Sequence, residues 1–171
     1  MGPTNDGANA KQLFQYWTDF QGTPTFSDNI SYFLSYQVGY MYWRYFMWNF
    51  AGRQDDYQGM AGTQKINGDW LSGLSFIDNS RLGSQENLPY QITNQKARNK
   101  FYLLPLILGL IGLVYMVNRS KEYALVLLLL FLNTGLFLRI YINEPPREPR
   151  QRDYALVGSF YSCCIWIQRA G

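Results

Sequence analysis

Polar and apolar positions are distributed unevenly along the chain. Residues 1–29 are mostly polar, and Gly2, Pro3, Gly7, Gly22 and Pro24 punctuate them as turn-forming residues do. Ala10 to Phe20 predicts a short helix with Leu13, Phe14, Trp17 and Phe20 on one face. The stretch lacks the basic start and apolar run of a secretory signal. Ser27-Asp28-Asn29 reads as a helix cap ahead of residues 30–51, where Phe33, Tyr36, Tyr40, Trp43, Met47 and Phe50 recur at steps of three and four. Ten of the 21 residues from Ile30 to Phe50 are aromatic, and Arg44 is their only charge. Tyr and Trp favour the headgroup layer of a membrane because each ring has an apolar body and a polar tip. The segment is therefore expected as an interfacial or partly inserted helix, with an aromatic core helix as the other reading.

Residues 52–100 read as an extramembrane loop. Six glycines and the turn-forming pair Asn67-Gly68 lie in it, with the carboxylates Asp55, Asp56, Asp69, Asp78 and Glu86. Trp70, Leu71, Leu74, Phe76 and Ile77 give it apolar surface to bury, so an ordered Gly/Asp-rich loop is expected. The membrane region, 101–171, follows. Phe101 to Val117 is an uncharged run with Pro105 near its start, where proline is best tolerated. Tyr123 to Ile142 is a second run, 13 of its residues being Leu, Ile, Val or Phe. Together these 13 favour insertion by about 4 to 8 kcal/mol. Arg139, one turn from the end, is expected to snorkel toward water. Asn133 and Thr134 read as mid-span polar groups that join helices. A third apolar run, 154–167, is short for a span and reads as the beginning of one in a truncated chain. Gly158 and Ser162 in it form a small-xxx-small pair that lets another helix approach. The predicted fold is all-α and integral to the membrane: an aromatic interfacial helix, two spans over 101–117 and 123–142, and a partial third.

Composition narrows the chemistry. The 171 residues contain no His and two Cys, which excludes His-based catalytic triads, His-ligated metals and a disulfide framework. No cofactor is expected. A net charge of +3 is too small to argue for nucleic acid. The mean hydropathy of −0.22 averages a polar first part with an aliphatic second one. The loop Asn143 to Asp153 alternates Arg147, Arg150 and Arg152 with Glu144, Glu148 and Asp153 around three prolines. Arginine matches phosphate with planar, bidentate donors, so this loop could hold a lipid phosphate at headgroup level. Arg53 stands beside Asp55 and Asp56, and Asp56 is a candidate polar or general-base group.

The stretches Tyr40 to Asp56, Asn67-Gly68-Asp69-Trp70 with Gly73, and Glu148 to Tyr161 together resemble part of a large bacterial family of membrane proteins, the protein O-mannosyltransferase-like glycosyltransferases. The similarity runs from about Phe26 to Ile167. It implies a polytopic helical protein of the bacterial inner membrane that moves a sugar from a polyprenyl-phosphate carrier to Ser or Thr of exported proteins. This chain would be an internal fragment of such a protein, its partners a polyprenyl-phosphate sugar, membrane lipid and the remaining spans of the parent. Arg53, Arg150 and Arg152 would contact lipid phosphate, with Asp56 accessory. The region expected to hold the family's catalytic aspartate precedes Met1. Asp55 stands where the family usually has Asn, and Gln151 where it usually has Glu. The other function class is a non-catalytic membrane module that binds a partner or lipid through its aromatic segment. For orientation, Lys96, Arg98, Lys100, Arg147, Arg150 and Arg152 share one side and Arg119 and Lys121 the other. The positive-inside rule puts the six in the cytoplasm, whereas the resemblance puts a phosphate site outward.

Overall fold

The computed structural model describes residues 6–18, 22–57, 67–142 and 153–170. Helix α1 is Asp6–Thr18. Helix α2 is continuous over 26–50: α-helical at Phe26–Tyr32, π-helical at Phe33–Arg44 and α-helical again at Tyr45–Phe50. Its cap is Thr25, whose hydroxyl accepts from the Asp28 amide while the Asp28 carboxylate accepts from the Thr25 amide at 2.8 Å. The helix thus begins before the expected Ser27-Asp28-Asn29, and Asp28 serves as the third-residue partner of a capping box. Short helices α3 (Ser75–Leu82) and α4 (Tyr90–Thr93) lie in the loop layer. A two-residue antiparallel pair, β1 (Gly52–Arg53) with β2 (Asn99–Lys100), ties its two ends together. The apolar region forms α5 (Leu104–Arg119), α6 (Lys121–Ile142) and α7 (Asp153–Ala170).

Among the described residues the fold is all-α apart from that small pair. Pro105 sits in the first turn of α5, where its missing N–H costs nothing. Of the spans expected, one matches in length: α6, with 22 residues, is the one described helix long and apolar enough to cross a membrane, and 11% of its most apolar window is buried. Helix α5 has 16 residues, which at 1.5 Å per residue is about 24 Å. The third run is longer than expected, an 18-residue helix.

Small residues set the crossings. At Gly112 a Cβ would overlap the Trp166 carbonyl oxygen of α7. At Gly158 it would lie 2.6 Å from the Thr134 hydroxyl of α6. The Gly158/Ser162 face therefore receives α6, and Thr134 is one of the residues that meet it. Among the described residues, Asn133 stays exposed and donates to the Leu129 carbonyl of its own helix at 2.8 Å.

Helix α2 departs most from expectation. Tyr42, Tyr45, Phe46, Met47, Trp48 and Phe50 are buried against Phe131, Phe160, Leu156 and Trp166 of α6 and α7, and Tyr36 is buried with its ring 5.5 Å from that of Trp17 of α1. From 42 to 50, Trp43 apart, the aromatic helix is core, because it crosses the apolar helices and they cover its rings. Phe26, Ile30, Leu34 and Trp43 are its exposed apolar side chains. Helix α1 stacks on its first half, with Phe14 5.0 Å from Tyr32 and Trp17 5.1 Å from Tyr40 between ring centroids. Arg139 is also corrected: it is 1% exposed and does not snorkel, because the π-helical stretch of α2 packs on the end of α6 that carries it.

Candidate functional site

The chain leaves α2 at Ala51 and immediately builds a polar knot at the end of the bundle where α5 starts. The Phe101 amide donates to the Ala51 carbonyl at 2.9 Å, the Leu71 amide to Gly52 at 3.0 Å and the Tyr102 amide to Ser72 at 3.0 Å. Gly52 is squeezed between these strands at φ +136°, a conformation open to glycine. Gln54 and Asp69 pair reciprocally: the Gln54 amide donates to the Asp69 carbonyl at 3.1 Å, and the Asp69 amide to the Gln54 side chain at 3.4 Å.

Asp55 accepts from the amides of Gly68 at 3.0 Å and Tyr57 at 3.1 Å. Its own carbonyl accepts from the Trp48 indole at 3.2 Å. Gly68 has φ +76°, so Asn67-Gly68 does turn the chain. Arg44 reaches the knot from α2; it is 5% exposed, donates to the Tyr40 and Gly68 carbonyls and lies 4.2 Å above the Tyr40 ring. Arg81 pairs with Asp69 at 2.8 Å and covers the Trp70 ring at 3.6 Å. Asp78 accepts from the Ser72 amide and hydroxyl at 3.0 and 2.9 Å and from the Gly73 amide at 2.7 Å. The stretch ending in Gly-Arg-Gln-Asp-Asp and the Asn-Gly-Asp-Trp stretch thus form one hydrogen-bonded unit.

Of the residues named from sequence, Arg53 is half-buried, donates to the Asn49 side chain at 3.1 Å and lies 5.3 Å from the Trp48 ring. Asp56 is exposed beside the buried Asp55. Arg150 and Arg152 lie outside the described residues, as do Arg147 and the acids between them. The described ends of that connection, Ile142 and Asp153, belong to the same bundle end as Leu104, since α5 and α6 form a hairpin through Ser120. Sequence reading passed over Arg44 and Arg139 as site residues. The lone charge in an aromatic run, and a charge inside an apolar one, were the available signals. The stretch of α2 that carries Arg44 packs on the end of α6 that carries Arg139. Among the described residues no three His, Cys, Asp or Glu side chains gather as metal ligands.

Burial raises the pKa values of Asp55 and Asp69 above the ordinary 3.8, against the opposing amide bonds at Asp55 and the Arg81 charge at Asp69. Burial also lowers the pKa of Arg98. The raised carboxylates bind protons more tightly folded than unfolded. Stability of the knot is therefore expected to fall as pH rises from about 3.8 through the folded values of Asp55 and Asp69 and to level off above them. Asp55→Asn should flatten this fall at little cost near neutrality, because an amide oxygen accepts the same two bonds. Thermal unfolding across pH 3.5 to roughly 8 checks it, and a curve unchanged by Asp55→Asn would count against the assignment.

Asp78→Ala removes the acceptor for three donors. It should cost about 2 to 4 kcal/mol, read as earlier proteolysis between 67 and 100.

No protein-family model, no curated protein and no solved structure matches the chain.

Proposed function

We propose that the chain is the membrane-embedded part of a polytopic bacterial glycosyltransferase-like protein, and that its polar end holds the phosphate of a polyprenyl-phosphate sugar. The observation that carries the reading is the separation of surfaces. Leu104, Ile107, Leu108, Leu110, Ile111 and Val114 of α5 and much of α6 from Leu125 to Ile140 are exposed and aliphatic. Arg53, half-buried, lies at the polar end with the buried Arg44 and Arg139, while Arg119 and Arg169 lie at the other end. An aliphatic flank of this extent is what lipid covers, and an accessible arginine at its rim, Arg53, suits a lipid-borne phosphate. Arg53, Arg150 and Arg152 would contact the phosphate, and Asp56, exposed to solvent, would be the accessory polar group. Sugar transfer to Ser or Thr would then need an aspartate from the parent protein's other spans. The location implied is the bacterial inner membrane. The aromatic segment is a poor partner surface in this reading, because most of its rings between 36 and 50 are spent on the core, Trp43 excepted.

Two measurements test the proposal. Alkaline carbonate should leave the expressed chain with the membranes; a clean soluble monomer would remove the membrane reading. Photocrosslinking to an undecaprenyl-phosphate analogue should drop about tenfold in Arg53→Ala and in the Arg150→Ala, Arg152→Ala pair, a loss of about 1.4 kcal/mol of binding. Crosslinking unchanged by all three substitutions would remove the phosphate assignment.

A further inference from the structure

We propose that residues 100–104, the turn leading into α5, are a lipid-headgroup anchor that seats the loop layer on the bilayer surface. The proposal rests on the membrane reading above and assigns the lipid boundary to particular side chains.

The first observation is backbone strain. Tyr102 and Leu103 have φ of 54° and 59°, the only positive values among the described non-glycine residues. Two consecutive bulky side chains in the left-handed region persist only where the surroundings over-determine them, and such strain gathers at working sites. The surroundings here are explicit. Phe101 donates to Ala51 and Tyr102 to Ser72, and Leu104 donates back to Phe101 at 2.9 Å. The Tyr102 ring lies over Gly73, where a Cβ would come within 2.9 Å of it.

The second observation is what this turn presents. Phe101 is 39% and Tyr102 51% exposed, between an exposed Lys100 and an exposed Leu104. A cation, two rings and an aliphatic side chain in this order match the passage from headgroups to acyl chains. Further along α5, Ile107, Leu108 and Ile111 are exposed as well.

The third observation is the spacing of the two exposed tyrosines of α6. Tyr141 closes α6 at the same end and Tyr123 opens it at the other; they are 86% and 72% exposed. Eighteen residues separate them, about 27 Å at 1.5 Å per residue, close to the roughly 30 Å hydrocarbon core. Phe101, Tyr102 and Tyr141 would mark one boundary and Tyr123 the other. Lipid is the occupant that this order and spacing favour over a protein partner.

The test uses single fluorescent labels on the full chain carrying Cys163→Ala and Cys164→Ala, in phosphatidylcholine–phosphatidylglycerol vesicles. Labels go at Phe101→Cys, at Lys100→Cys, which keeps both rings, at Leu129→Cys in mid-α6 and at Asn79→Cys on α3. Expected are strongest quenching by shallow nitroxide lipids at 100 and 101, by deep nitroxide lipids at 129, and by aqueous iodide at 79. If iodide quenches 100 and 101 as strongly as 79 while 129 stays lipid-quenched, the anchor is overturned and the membrane reading stands. If iodide also reaches 129, both are overturned.

Discussion

Gly112→Ala is expected to separate α5 from α7 and to destabilise the fold by about 3 kcal/mol or more. The reason is local. A Cβ at Gly112 would overlap the Trp166 carbonyl oxygen and lie 2.6 Å from its carbon. Both are backbone atoms inside a helix, so neither can swing aside, and only a shift of the whole helix relieves them. Alpha5 and α7 are the most extensively packed pair among the described elements. The shift would also pull Trp166 from Phe131, now 5.4 Å away between ring centroids. Gly109, three residues earlier on the same helix, supplies the comparison. Its Cβ would stand 3.7 Å from the Ile167 side chain, an ordinary contact, so Gly109→Ala should be neutral or stabilising by up to about 1 kcal/mol through helix propensity. Thermal unfolding in detergent, followed by near-ultraviolet circular dichroism of the tryptophans, reads both. Equal stability of the two variants would mean that α5 and α7 do not meet at Gly112.

The parts of this structure that could be read in advance are those where one physical signal dominates. Uninterrupted aliphatic runs located α5 and α6, and Pro105 located the first turn of α5, since little else tolerates proline inside a helix. Gly158 and Ser162 marked a close crossing because small residues on one face leave room for a neighbour. Asn67-Gly68 marked a turn. Helix α2 was legible as a helix but not in its role. With aromatic residues on every face, periodicity does not distinguish the side that meets α6 and α7 from a side that meets headgroups. The π-helical stretches at Phe33–Arg44 and Asn133–Phe137 carry no pattern that separates them from α-helix. Arg139 looked like a snorkelling cation because its neighbours along the chain are apolar, and its burial depends on α2, nearly a hundred positions earlier. In the polar knot, Arg53 and the acids could be named from proximity in sequence. The contacts between Asp55 and Gly68, and between Asp69 and Arg81, span 13 and 12 positions and are set by the loop's path. That path follows from Gly52 and from the Ser72–Asp78 hydrogen bonds.

Gly52→Ala should detach the loop layer while leaving the three apolar helices together, with a loss of about 3 kcal/mol or more. Two penalties act at once. The residue sits at φ +136°, where a side chain is strained. Its Cβ would also overlap the Leu71 carbonyl oxygen and come within 2.6 Å of the Asn99 carbonyl oxygen. Those carbonyls belong to the two segments that Gly52 holds together, through the pairing with Lys100 and the bond from Leu71. Opening them frees the 67–100 layer from α2 but removes no contact among α5, α6 and α7. Limited proteolysis should therefore cut between 67 and 100 early, with α5 to α7 protected as in the parent chain. Gly83→Ala isolates the first penalty, since Gly83 has φ +88° with nothing within 4 Å of its Cβ. It should cost about 1 kcal/mol from strain alone. If Gly52→Ala is no worse than Gly83→Ala, the three backbones do not converge on residue 52. The loop layer must then be held to the bundle chiefly by Arg44 and the Trp48 indole.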